Sequence, residues 1–130
     1  MTNENKILVN IVSFGYKYGV PEDSDLVYNV RFLPNPYYIP EMKSRTGFDS
    51  DVYDYVMNFD ETKQFFKKLK ETSEYLIPLY EKAGMEKVKI SVGCTGGRHR
   101  SVTIVRALSD VLEKAGYNVT VCHRDIQKIG

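Results

Sequence analysis

No stretch of this sequence is apolar for long enough to cross a membrane as a helix. Its start, Met-Thr-Asn-Glu-Asn-Lys, lacks the pattern of a secretory signal. A cytoplasmic location is the expectation. Cysteine is scarce: Cys94 and Cys122 are the only two, and they read as free thiols, not as a disulfide framework. Nowhere do His, Cys, Asp and Glu gather at a metal-ligand spacing, so neither a metal nor another cofactor is expected. Repeats, low-complexity tracts and linkers are also missing, and 130 residues suit one domain with one core. Net charge is nearly absent, at +1. That balance hides an asymmetry. From Lys87 onward eight basic side chains stand against three acidic ones, a net +5, which leaves −4 for the rest. A basic C-terminal part suits an anionic partner, either a small phosphate ester or nucleic acid; it also suits a plain solvated surface.

What is present is organised around residues 87–116. Val88, Ile90 and Val92 alternate as in a strand. Residues 93–97, Gly-Cys-Thr-Gly-Gly, form a small-residue loop, and Val102, Val105, Leu108 and Leu112 recur at helical spacing up to Gly116. Strand, glycine loop and helix start together can hold an anion, because the glycines admit close backbone approach and the first helical amides carry the positive end of the dipole. Arg98, His99 and Arg100 add positive charge at that same end. The dipole disfavours cations there, so a bound anion would offset their cost. The alternative is a glycine turn with arginines pointing into water.

The remaining segments read as the rest of an α/β domain: about four strands in a mostly parallel central sheet, with flanking helices. Residues 7–12 form an apolar strand. Ser-Phe-Gly-Tyr-Lys-Tyr-Gly at 13–19 follows it as a shaped loop, at the sheet edge where ligands of open α/β folds bind. There Lys17 can meet a phosphate, while Tyr16 and Tyr18 either stack on a ring or simply pack. Residues 26–32 read as a second strand. The prolines of Leu-Pro-Asn-Pro-Tyr-Tyr-Ile-Pro at 33–40 impose a rigid loop. Arg31, just before it, can face the same anion or pair with Asp23 or Asp25. Ser44-Arg45-Thr46-Gly47 is a polar loop, and Asp49 or Ser50 can cap a short helix to Met57. Residues 62–82 read as a longer helix with Phe65, Phe66, Leu69, Leu76, Leu79 and Tyr80 on its apolar face, a kink expected at Pro78, and core roles for Phe65 and Tyr75. Residues 119–122 make the last strand. His123, at its end, can contact phosphate, carry a proton, or pair with Asp125.

Two function classes compete for the loop. Cys94 and Arg100 stand as Cys-x5-Arg with Ser101 next, the spacing of the cysteine-dependent phosphatases. A thiolate near a helix start with cationic neighbours is a plausible nucleophile, with Asp23, Asp25, Asp49 or Asp51 as an unselected general acid. The pattern is short, and Gly93 stands where many such enzymes have histidine. The other class rests on longer blocks. Gly-Cys-Thr-Gly-Gly-Arg-His-Arg-Ser-Val at 93–102 resembles the signature of the RapZ and YvcJ family C-terminal domain. So, in order, do residues 13–19, Val-Arg-Phe-Leu-Pro-Asn-Pro-Tyr-Tyr at 30–38, Thr46-Gly47 and His123-Arg124.

That resemblance spans nearly the whole chain and implies a binding domain, not a phosphatase. In family members with known roles the domain senses glucosamine 6-phosphate, binds small RNA and presents it to an RNase, on an α/β fold similar to a sugar-phosphate-binding subdomain of phosphofructokinase. The resemblance implies a phosphosugar pocket of Thr95, Gly96, Gly97, His99 and Arg100, to which the adjacent Ser101, Lys17, Arg31 and His123 are added. Tyr37 stands where some members have a ligand-contacting histidine. Family members also carry a P-loop domain, but no Gly-x4-Gly-Lys-Ser/Thr segment occurs here. The chain is thus a stand-alone homologue or an excised domain, its own Met favouring the first. Some RNA-binding members end in a dense Lys/Arg cluster, whereas this chain ends Asp-Ile-Gln-Lys-Ile-Gly. RNA affinity depends on such phosphate contacts, so a small ligand is favoured over RNA. RNA, if bound, would meet Lys17, Arg98, Arg100, Arg124 and Lys128. Homo-oligomerisation would help it through multivalency.

Overall fold

The computed structural model describes residues 6–128. The leader at residues 1–5 and the last two residues lie outside them. Four strands form one parallel sheet: β1 (Leu8–Gly15), β2 (Leu26–Asn29), β3 (Lys87–Cys94) and β4 (Asn118–His123). Their spatial order is β2-β3-β1-β4. Three helices complete the fold: α1 (Ser50–Met57), α2 (Asp60–Lys82) and α3 (Arg100–Lys114). The sheet is thus parallel throughout.

Register explains the burial. Val9 pairs with Val88 and Ile11 with Ile90, so these side chains share one face, and all four are fully buried. α3 lies against that face through Ile104, Val105, Leu108 and Leu112, none of which is exposed. α1 and α2 pack beside α3. On the other face the first half of the strands meets water, as Leu8 and Lys87 show, while Val12, Phe14 and Ser91 are covered. The cover comes from residues 16–24. The Ser24 hydroxyl is 2.7 Å from that of Ser91, and the Tyr16 ring meets Phe14 edge-on at 4.8 Å.

Several boundaries differ from the sequence expectations. β2 stops at Asn29 because the Asn29 Oδ1 accepts the Arg31 amide at 3.0 Å and turns the chain. β1 runs on to Gly15 and β3 to Cys94, so the central loop begins at Thr95. α1 starts as expected at Ser50, yet the Asp49 carboxylate caps the Thr46 amide at 2.9 Å instead of the helix. In α2 the buried residues are Thr62, Leu69, Ser73 and Ile77. Leu79 is 46% exposed and Tyr75 is 68% exposed, because both lie away from the stripe through Leu69, Ser73 and Ile77. Gly116 ends the last helical segment with φ of +96°.

Candidate functional site

β1 and β3 end side by side, with Gly15 opposite Cys94. Beyond Gly15 the chain makes a single 3-10 turn at Tyr16–Tyr18, and beyond Cys94 it bends through residues 95–99 into α3. The Lys17 amide donates to the Thr95 carbonyl at 3.2 Å and joins the two exits. They approach so closely that side chains are excluded. A Cβ on Gly15 would sit 2.5 Å from the carbonyl carbon of Gly96, and Gly97 adopts φ of +80°. Gly96 has open space where its side chain would be.

Asp125 locks this junction from below. Its carboxylate, fully buried, accepts the Gly15 amide at 2.8 Å, Arg124 Nη2 at 2.8 Å and Lys128 Nζ at 2.7 Å. Burial works to raise its pKa, but these bonds outweigh burial and hold it at about 2. A second clamp fixes the far side. The Gly47 amide donates to the Arg98 carbonyl at 2.9 Å, and Arg106 Nη1 donates to the Gly47 carbonyl at 2.7 Å.

Above the junction opens a cavity of about 750 Å³. Its floor is Cys94, Thr95, Gly96, Arg98, His99 and Arg100. Lys17, Tyr18 and Lys128 form one wall; Asn35, Tyr37, Tyr38 and Pro40, continuing to Lys43 and Ser44, form the other. Arg100 is 4% exposed. Its Nη1 donates to the carbonyls of Arg31 at 2.6 Å and Leu33 at 3.2 Å, which ties the proline loop to α3. Its Nε is buried with no protein partner. Among the described residues no carboxylate pairs with Arg100. Burial lowers its pKa, partly offset by Cys94 and Tyr38. His99, 7% exposed, also keeps an unpartnered Nε2. Burial lowers its pKa too, against the backbone carbonyls of Arg45, Met42 and Lys43. The buried Arg100 Nε–H without a protein acceptor favours an external anion, and the unpartnered His99 Nε2 beside it marks the same helix start as a place for a polar ligand.

Of the residues singled out from sequence, Lys17, Tyr37, Thr95, Gly96, Arg98, His99, Arg100 and Lys128 come together around this cavity. Five do not line it. Gly97 is packed against Gly15 and Asp125. The Ser101 hydroxyl is fully buried and accepts the Cys94 thiol at 3.2 Å. Arg31 pairs with neither Asp23 nor Asp25. Its Nε donates to Asn29 Oδ1 at 3.0 Å and its guanidinium covers the Tyr16 ring at 3.9 Å. Arg124 is taken up by Asp125 and the Gly19 carbonyl. His123 meets Ser13 instead of Asp125, with Nδ1 2.7 Å from the hydroxyl, since register sets it beside Ser13 on β1. It faces a separate hollow with Phe48 and Arg106, and burial followed by Arg106 lowers its pKa. Lys43, Ser44 and Asn35 were not singled out. The cue for the first two was Gly47, whose backbone contacts bring the preceding loop onto His99.

Fold and site together define a parallel α/β domain with a cation-rich cavity at the C-terminal ends of its strands. The chain belongs to the RapZ C-terminal domain family, whose model matches residues 7–127. It is 52% identical over 127 residues to a nucleotide-binding protein of Desulforamulus reducens, covering 98% of this chain and 43% of that protein. Similar proteins in Clostridium novyi and Clostridium acetobutylicum are 52% and 53% identical over 125 residues, covering 96% of this chain and 42% of each. The chain therefore spans less than half the length of the curated relatives it matches. No helix among the described residues is long and apolar enough to cross a membrane.

Proposed function

We propose that this domain is a regulatory binding module, not an enzyme, whose cavity takes a phosphorylated small molecule. One observation carries the reading: the buried guanidinium of Arg100, with an unpartnered Nε and no carboxylate, on the floor of an open cavity. A buried cation left so costs several kcal/mol, and a bound oxyanion removes that cost. Thr95 and the Gly96 backbone supply further donors, and the unpartnered His99 Nε2 supplies a polar contact. The family resemblance makes glucosamine 6-phosphate the first ligand to try. RNA contact at the cavity rim through Lys17, Arg98 and Lys128, presentation to an RNase and assembly into a homo-oligomer are secondary parts of the same proposal.

The phosphatase reading keeps one observation in its favour, the closeness of Cys94 to Ser101 and Arg100. Against it, among the described residues the cavity lining contains no Asp or Glu to protonate a leaving group. Asp25 accepts the Lys89 amide and Asp51 pairs with Arg45, so these candidate acids are occupied elsewhere.

Calorimetric titration tests the proposal, with glucosamine 6-phosphate, inorganic phosphate and glucosamine as ligands. Saturable binding of the sugar phosphate, tighter than phosphate and absent for glucosamine, is expected. Arg100→Lys keeps the charge but loses the planar fork, and should weaken binding about tenfold or more. Cys94→Ser should bind nearly as wild type. Turnover of an aryl phosphate that Cys94→Ser abolishes would establish the enzyme instead.

A further inference from the structure

His99 stands buried at the start of α3 and lines the cavity between Arg98 and Arg100. Its Nε2 is enclosed without a hydrogen-bond partner. Its neighbours pull its charge in opposite directions. Burial, and then the charge of Arg98, hold the ring neutral, whereas the backbone carbonyls of Arg45, Met42 and Lys43 favour the imidazolium. A neutral imidazole has one N–H and an imidazolium has two. The carbonyls call for one, and an acceptor in the cavity would call for the other.

Negative charge is what the surroundings lack. The charged side chains lining the cavity with His99 are Lys17 from the β1 exit, Lys43 from the loop before α1, Arg98 and Arg100 at the start of α3, and Lys128 from the C-terminal turn. Cys94, Tyr18, Tyr37 and Tyr38 complete the titratable lining, and among the described residues no Asp or Glu joins them. The carboxylates of the adjoining loops are engaged elsewhere: Asp49 accepts the Thr46 amide, and Asp125 holds Arg124, Lys128 and the Gly15 amide. An external anion supplies the missing charge, in a place where burial strengthens its pull.

We infer that an anion entering this cavity brings a proton with it, taken up by His99. The inference rests on the anion-binding reading above and adds regulation to it. Linkage sets the sign: the ring is neutral in the free domain near pH 7 and charged in the complex, so affinity rises as pH falls.

Sulfate is the probe, because it keeps both charges between pH 6 and pH 8, where a phosphate ester itself titrates. It is titrated calorimetrically at pH 7 in two buffers of different ionisation enthalpy, and then at pH 6 and pH 8. Wild type should take up roughly half a proton per sulfate at pH 7 and bind about fivefold more tightly at pH 6 than at pH 8. His99→Gln, checked for folding by circular dichroism, should bind sulfate with neither effect. Proton NMR gives a second reading with His99 in place. The chain has two histidines, so the ring signal that remains in His123→Gln belongs to His99. Its titration midpoint should rise when sulfate saturates the wild type. Saturable sulfate binding without proton uptake overturns the coupling and leaves the anion site intact. Uptake that persists in His99→Gln, or a His99 midpoint that sulfate does not move, overturns the assignment to His99. If the variant fails to fold or to bind, the NMR midpoint decides. Absence of sulfate binding at every pH overturns the inference together with the anion-binding reading.

Discussion

Asp125 shows how much one side chain can organise. In the sequence it stands as one of three options for His123; in the fold it holds the Gly15 amide, Arg124 and Lys128 at once. Its pKa falls from 3.8 to about 2 on folding. A carboxylate with a depressed pKa stabilises the fold above its unfolded value, and that stabilisation disappears as pH drops through the folded value. Chemical denaturation followed between pH 7 and pH 2 should therefore show a loss concentrated below pH 4. Asp125→Asn should cost about 2 kcal/mol at neutral pH, and its deficit should shrink toward zero near pH 2. His99 and His123, both lowered from 6.5, act in the same direction earlier in the acid descent. A variant whose deficit stays constant across that range would show that charge is not the cause.

At the scale of the element, β1, β3 and α3 make the junction that the cavity needs. Two substitutions separate packing from function. Leu108 is fully buried where α3 meets the sheet, and Leu108→Ala should destabilise by about 3 kcal/mol without altering ligand affinity in the folded fraction. Gly15→Ala should both destabilise the domain and weaken binding, because its Cβ would push into the Gly96 backbone on the cavity floor. Thermal melts paired with titration distinguish the two outcomes. Strands and helices were legible in the sequence wherever apolar residues kept a period, as in β3 and α3. The glycine loop and its cations were legible because their residue types converge within ten positions. What stayed hidden depended on register and side-chain bonding. Nothing local says that His123 stands next to Ser13, that Asn29 truncates β2, or that residues 39–45 fold over His99. Lys43 and Ser44 escaped notice for that reason.

For the whole molecule, strand order governs how the parts come together. Both neighbours of β1 are distant in sequence: β3 begins at Lys87 and β4 at Asn118, and Asn10 meets Thr120 across 110 residues. Such non-local pairing slows folding, so refolding from denaturant should take roughly milliseconds to seconds, not microseconds. Stopped-flow fluorescence of the tyrosines would measure it. Synthesis on the ribosome adds a further demand. The first strand leaves the exit tunnel long before either neighbour has been made, and its apolar residues wait without a sheet. Only when β4 has emerged can β1 take its place between two strands. From the emergence of β1 until that of β4, the nascent chain therefore carries an unpaired, aggregation-prone segment, and cellular yield should depend on chaperones that shield it.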